Sequence, residues 1–281
     1  MKRHSPARRI GIAGQLLIVA LGAMAAVLAM MSFFQSQMLF PTDAVPAAGP
    51  LPSGAERMEV EAPGGVWLHG VYFRPSGEGD KHLVIGFGGN AWNGQHVAVE
   101  LNRHFPDAHV VAFHYRGYRP STGSPSSEAL IADAPLVYDA AVERTKATKV
   151  IAAGFSIGSG VAAYLAGKRK LDGLILVTPF DSLKAAAADL FPWLPVGPFF
   201  QHEMNSAGAL KGNQVPVALI AAERDEIIRP IRTAALRSQI PNLIFDRTIG
   251  GAGHNDIYGR SSFDEAMREA YFLIVSEKKS M

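Results

Sequence analysis

A single pentapeptide limits what this chain can become. Gly154-Phe155-Ser156-Ile157-Gly158 directly follows the small and β-branched run Lys149-Val150-Ile151-Ala152-Ala153, and it directly precedes a helix-compatible run from Val161 to Leu165. A serine between glycines at a strand-to-helix turn sits on a sharp bend with its hydroxyl exposed, and the glycines let the two backbones approach closely. The same five residues could form a glycine-rich turn with an incidental serine. The flanking strand and helix favour a nucleophile.

A serine hydroxyl is a poor nucleophile until a base takes its proton, so Ser156 calls for a histidine oriented by a carboxylate. On an open parallel sheet such partners come from loops at the C-terminal ends of strands. Short apolar segments, Leu83-Val84-Ile85, Val110 to Phe113, Leu174 to Val177, Val217 to Ile220 and Leu243 to Phe245, alternate with helical stretches at 95–104, 128–146 and 263–275. Buried strands alternating with helices predict an α/β architecture with a mostly parallel sheet covered on both faces. Arg57 to Ala62 and Val66 to Arg74, around Pro63-Gly64-Gly65, read as an antiparallel hairpin ahead of it. Pro135 should kink the 128–146 helix or mark its true start.

Of the nine histidines, only His254, in Gly250-Gly251-Ala252-Gly253-His254-Asn255-Asp256, follows the last expected strand. The carboxylates of Glu223-Arg224-Asp225-Glu226 lie just past the strand before it, and spacing alone leaves Glu223, Asp225 and Glu226 as rivals. Acyl transfer also needs two backbone N–H groups aimed at the developing alkoxide. Ile157, after the serine, is one candidate. Asn90, with Gly89 as fallback, is the other, because Gly88-Gly89-Asn90 follows the Leu83–Ile85 strand and lets main chain approach a ligand. No Gly-Lys-Ser/Thr follows those glycines, which excludes a phosphate-binding loop.

Ile10 to Phe34 carries no charged side chain and follows the basic stretch Met1 to Arg9. Such a run is long enough to cross a bilayer, with its basic flank cytoplasmic and the body of the chain outside, which is the periplasm in a Gram-negative cell. A cleaved signal peptide is the competing reading, with Ala23-Met24-Ala25 as a small-x-small site. The apolar run continues past it through Val27 to Met31, which favours a retained anchor. The expected organisation is a basic terminus at 1–9, an anchor at 10–34, a Pro/Ala/Gly-rich linker at 35–54 and one catalytic domain at 55–281. Four of the 27 Lys and Arg residues precede position 10, leaving 23 against 25 Asp and Glu, which argues against a nucleic-acid surface. The chain has no cysteine, so disulfides, thiolate metal sites and a cysteine nucleophile are all excluded.

Taken together, these segments resemble the α/β-hydrolase superfamily, and within it a membrane-anchored serine hydrolase subgroup similar to acyl-protein thioesterases (depalmitoylases) and serine aminopeptidase-like domains. The resemblance rests on Gln35 to Pro41, Gly88-Gly89-Asn90-Ala91, Tyr115-Arg116-Gly117-Tyr118 with Gly123-Ser124-Pro125-Ser126, Gly154 to Gly158, Thr178-Pro179-Phe180-Asp181-Ser182, Asp225-Glu226 and Gly253-His254-Asn255-Asp256. Two positions depart from the family: Gly88 stands where a histidine is usual, and Ala222 where a glycine is usual. The resemblance favours Asp225 as the acid and implies a Ser156-His254-Asp225 triad, with a small cap at about 181–210 over the serine. Cap residues Phe191 and Trp193 are candidates for an apolar substrate wall, with plain packing of the cap on itself as the equal alternative. The expected activity is hydrolysis of a small acyl ester, thioester or lipid-like substrate through an acyl-enzyme, with no metal or organic cofactor implied. A serine peptidase, or a non-catalytic membrane-tethered binding protein, is the alternative. Tyr115 to Tyr118 reads as a structural loop tied down by Arg116, in preference to a carboxylate clamp.

Overall fold

The computed structural model describes residues 11–77, 81–192, 197 and 200–276. Eight strands form one sheet: β1 (Ala55–Ala62), β2 (Val66–Phe73), β3 (His82–Phe87), β4 (His109–Phe113), β5 (Lys149–Phe155), β6 (Gly173–Val177), β7 (Val217–Ala222) and β8 (Leu243–Ile249). Their spatial order is β1-β2-β4-β3-β5-β6-β7-β8. β2 runs antiparallel to both its neighbours, and β4 through β8 pair in parallel. The hairpin and the parallel sheet are both as the sequence predicts.

Every residue of β3, β6 and β7 is buried, which explains their unbroken apolar runs. Alternate residues serve opposite faces. Leu83 and Ile85 join one core with Leu130, Val137 and Val161, while Val84 joins a second core with Val97, Leu101, Phe263 and Met267. The first core is covered by α3 (Ser127–Thr145) and α4 (Ile157–Ala166), and the second by α2 (Gly94–His104) and α8 (Ser261–Ser276). α3 is a single helix that begins eight residues before Pro135, so the proline does not mark its start. Removing one helical N–H costs about 3 kcal/mol. Burying Leu130, Ala134, Val137 and Ala141 on the first core outweighs that, at roughly 1.5–3 kcal/mol for each large side chain.

α1 (Ile12–Leu39) is long and apolar enough to cross a membrane, and its most apolar window is entirely unburied. It continues beyond Phe34 to Leu39. The residues that follow lie against the domain and are not free: Phe40 is buried in the first core, and the Pro46 and Pro50 carbonyls accept from the side-chain amides of Asn93 and Gln95. Between β6 and β7 the cap contributes α5 (Leu183–Leu190) and the short α6 (Ser206–Leu210), and α7 (Pro230–Arg237) precedes β8. The topology therefore brings the loops after β3, β5, β7 and β8 to one edge of the sheet, which is where ligands bind in open α/β folds.

Candidate active site

Ser156 occupies the turn between β5 and α4 with φ +51° and ψ −118°, a region that L-residues avoid. The neighbouring glycines make that bend sterically attainable. A Cβ on Gly158 would lie 2.1 Å from the Phe87 carbonyl oxygen, and one on Gly154 would lie 2.4 Å from the Gly158 carbonyl oxygen. Both clashes are with backbone, so neither position admits another residue without moving the sheet or helix. The Ser156 N–H donates to Val177 O at 2.9 Å, and Ser159 Oγ donates to Ser156 O at 2.6 Å, which ties the strained residue on both sides.

The three residues expected to act together do meet. His254 Nε2 is 3.0 Å from Ser156 Oγ, and His254 Nδ1 is 2.9 and 2.8 Å from the two carboxylate oxygens of Asp225. A carboxylate only accepts, so Nδ1 carries the proton and Nε2 presents its lone pair to the serine. The His254 and Asp225 side chains are 7% and 2% exposed, which keeps water from competing for either bond. Asp225 Oδ1 also accepts the N–H groups of Ile227 and Ile228 at 3.0 and 2.7 Å. The rival acids are otherwise occupied: Glu223 accepts the Gly251 N–H and Glu226 the His254 N–H, so both shape the histidine loop from its backbone.

Gly89, Asn90 and Ile157 line the same cavity as Ser156 and His254. This cavity, about 280 Å³, is otherwise mostly apolar, with α5 residues Leu183, Ala186 and Leu190 and then Phe191 along one wall and Asn255 beside His254. Phe191 is thus placed on the cavity, whereas Trp193 lies outside the described residues. Trp92 and Tyr258, which the sequence did not single out, pack with ring centroids 4.7 Å apart and also line it. Their only advance signal was proximity in the chain to Asn90 and His254.

The loop bearing Gly88 to Asn90 is held from behind. Tyr115 Oη donates to Gly88 O at 2.8 Å, and Tyr118 Oη donates to Asn90 O at 2.6 Å. Burial pushes both phenols above their ordinary value, so both hydroxyls remain donors. Arg116 between them pairs with the buried carboxylate of Asp133 through two nitrogens, in agreement with a structural loop. Gly88 stands where bulk would not fit, since a Cβ there would be 2.7 Å from Val97 Cγ2. Away from this edge, Glu100, His104 and Asp264 come within metal-ligand reach. Arg103 already supplies the positive charge there, donating to Glu100 at 2.7 Å and to Asp264 at 2.8 Å.

A parallel sheet with β2 reversed, and a serine on a strained turn after β5, define a class. The family described as the alpha/beta hydrolase fold matches residues 83–201, and the chain has that fold. An alpha-beta hydrolase from Vibrio vulnificus superposes with a TM-score of 0.68 over 88% of this chain and 93% of that one, at 19% identity. An esterase from Pyrococcus furiosus does so with a TM-score of 0.66 over 82% and 95%, at 17% identity. Among sequence relatives, an uncharacterized Mycobacterium tuberculosis protein is 29% identical over 79% of this chain and 84% of its own. An uncharacterized membrane protein of Saccharomyces cerevisiae is 30% identical over 59% of this chain and 60% of its own. The lysophosphatidylserine lipase of Danio rerio is 31% identical over 43% of this chain, a match that spans only 36% of the lipase. The fold and these relatives support a hydrolase, and the apolar α1 with a membrane-protein relative points to membrane association.

Proposed function

We propose that this protein is a serine hydrolase that cleaves a carboxylic ester or thioester, with Ser156, His254 and Asp225 as its triad. The observation that carries the reading is the 3.0 Å contact between His254 Nε2 and the hydroxyl of a serine held at φ +51° beside an apolar cavity. Ser156 Oγ attacks the carbonyl carbon while Nε2 takes its proton. Asp225 holds the ring and stabilises the imidazolium. The N–H groups of Ile157 and Asn90, with Gly89 as the alternative donor, stabilise the oxyanion. His254 returns the proton to the leaving group, and water then repeats the sequence in reverse to free the acid and Ser156.

The cavity lining favours an ester over a peptide with a free amino terminus. None of its described lining residues is Asp, Glu, Lys or Arg, so no carboxylate there would pair an ammonium group. The similarity to a lysophosphatidylserine lipase supports a lipid-type acyl substrate. The basic stretch before Ile10 supports an orientation with the N-terminus in the cytoplasm and the catalytic domain outside it. Cytoplasmic readout from a reporter fused after Met281 would reject that orientation.

Labelling with a fluorophosphonate probe is the direct test. The wild-type chain should be labelled and Ser156→Ala should not, while His254→Ala should lower turnover by several orders of magnitude. Labelling that persists in Ser156→Ala would refute the nucleophile. Release of amino acids from aminoacyl amides without cleavage of acyl esters would favour the peptidase.

A further inference from the structure

The membrane-spanning candidate does not end where the domain begins. The last turn of α1 enters the wall of the cleft, where Met38 and Leu39 line the same cavity as Ser156 and His254. That turn is fixed from several directions. Gln35 Oε1 accepts the Gln201 N–H at 3.1 Å, and Ser36 Oγ lies 2.8 Å from His202 Nε2. The His202 ring meets buried Phe40 edge-on at 5.2 Å, and Asn90 Nδ2 approaches the Met38 carbonyl at 3.5 Å. A tether needs only length. These contacts instead seat the helix end between the cap and the loop that carries Asn90.

Its depth follows from helix geometry. The apolar run ends at Phe34, where Gln35-Ser36-Gln37 follows, and Met38 is four residues on. At 1.5 Å per residue that is about 6 Å beyond the apolar run. The headgroup layer on each side of a bilayer is roughly 5–8 Å thick. With α1 spanning the membrane, Met38 stands within that layer, together with this side of the cleft.

We infer that Met38 and Leu39 are specificity-determining residues: the end of the membrane helix is a wall of the cleft and selects, by chain length, acyl esters whose carbonyl lies at headgroup depth in the same leaflet. The inference rests on Ser156 being the nucleophile. The acyl chain would lie along the apolar side formed by Met38, Leu39, Leu183, Leu190 and Phe191. Each methylene buried there contributes about fourfold to kcat/KM. Bulk added at Met38 shortens the available wall, and bulk removed lengthens it.

The test uses the full chain reconstituted in phosphatidylcholine vesicles with p-nitrophenyl esters of four to twelve carbons, rates being referred to the fraction of Ser156 titrated by fluorophosphonate. Met38→Trp should lower the ratio of twelve-carbon to four-carbon kcat/KM by about tenfold, the equivalent of roughly two methylenes. Met38→Ala should shift the preference toward longer chains. Because the chain has no cysteine, Met38→Cys introduces a single thiol for a bimane fluorophore. Nitroxide on the lipid headgroup should quench it more strongly than nitroxide at mid-chain. Ratios that move less than twofold in both variants, or fluorescence quenched best at mid-chain or not at all, would overturn the inference. Absence of fluorophosphonate labelling in the wild type would instead sink the nucleophile on which it stands.

Discussion

Asp225→Asn is the substitution whose outcome the geometry constrains most tightly. Oδ1 of Asp225 accepts two backbone N–H groups, from Ile227 at 3.0 Å and Ile228 at 2.7 Å. An amide NH2 turned toward those donors would leave all three groups unpaired, at about 1–3 kcal/mol each. The asparagine carbonyl must therefore take the Oδ1 position and its NH2 the Oδ2 position, now 2.8 Å from His254 Nδ1. Nδ1 is also 2.9 Å from the Oδ1 position, but that oxygen already accepts two N–H groups, so the amide N–H at the Oδ2 position drives Nδ1 to accept and Nε2 to carry the proton. The imidazole then points a hydrogen at Ser156 Oγ where it needs a lone pair. The expected loss in kcat/KM is about 10⁴-fold, or roughly 5 kcal/mol at 1.36 kcal/mol per decade. Volume and packing are unchanged, so thermal unfolding should move little. Hydrolysis of a p-nitrophenyl ester, alongside a melting curve, reads both quantities. Activity within tenfold of wild type in a folded variant would show that Asp225 does not set the tautomer.

Three further outcomes follow from contacts described above. Tyr118→Phe removes the donor to Asn90 O, and leaving that carbonyl unpaired costs about 1–3 kcal/mol; kcat should fall by roughly tenfold with KM nearly constant, because the loosened loop acts on the transition state. Gly158→Ala places a methyl 2.1 Å from the Phe87 carbonyl, so denaturant unfolding should show a loss of about 3 kcal/mol or failure to fold. His114 is buried, and burial first, with His69 and His96 adding repulsion, pushes its pKa down to about 4. Its Nδ1 accepts the Gly94 N–H, which only the neutral ring can do. The unfolded chain takes up this proton near pH 6.5 and the folded chain only near 4, so stability is full above 6.5 and declines on acidification toward 4. The loss is on the order of 3 kcal/mol at about 1.36 kcal/mol per pH unit, and His114→Gln should flatten that part of the denaturation-midpoint profile.

The parts of this molecule that were legible in the sequence are those where sterics or periodicity leave one solution. Gly154 and Gly158 are required by backbone contacts below 2.5 Å, and the fully buried strands read as apolar runs because both faces are covered. The acid was not legible from spacing. Asp225, Glu223 and Glu226 are separated only by which of them points at the ring and which at backbone N–H groups, and that is decided by the loop after β7. Composition suggested a spacer after Phe34, yet Phe40 is buried and Pro46 and Pro50 serve as acceptors. Proline forbids a helix there, but it does not forbid docking of an extended chain. Met38 was hidden for a related reason, since it lies past Gln35-Ser36-Gln37 in the stretch read as a linker and carries no mark of a cleft.

The separation of Ser156 from its proposed base has a consequence for when reactivity can appear. The two are 98 positions apart, and Asp225 also follows the serine in the chain. A polypeptide delivered N-terminus first therefore presents Ser156 while the imidazole is still unsynthesised or untranslocated. On the proposed triad, the hydroxyl gains its base only once β8 has added to the open edge of the sheet and carried His254 into place. Order of emergence alone would then act as a safety catch, keeping a half-made molecule from attacking nearby acyl groups.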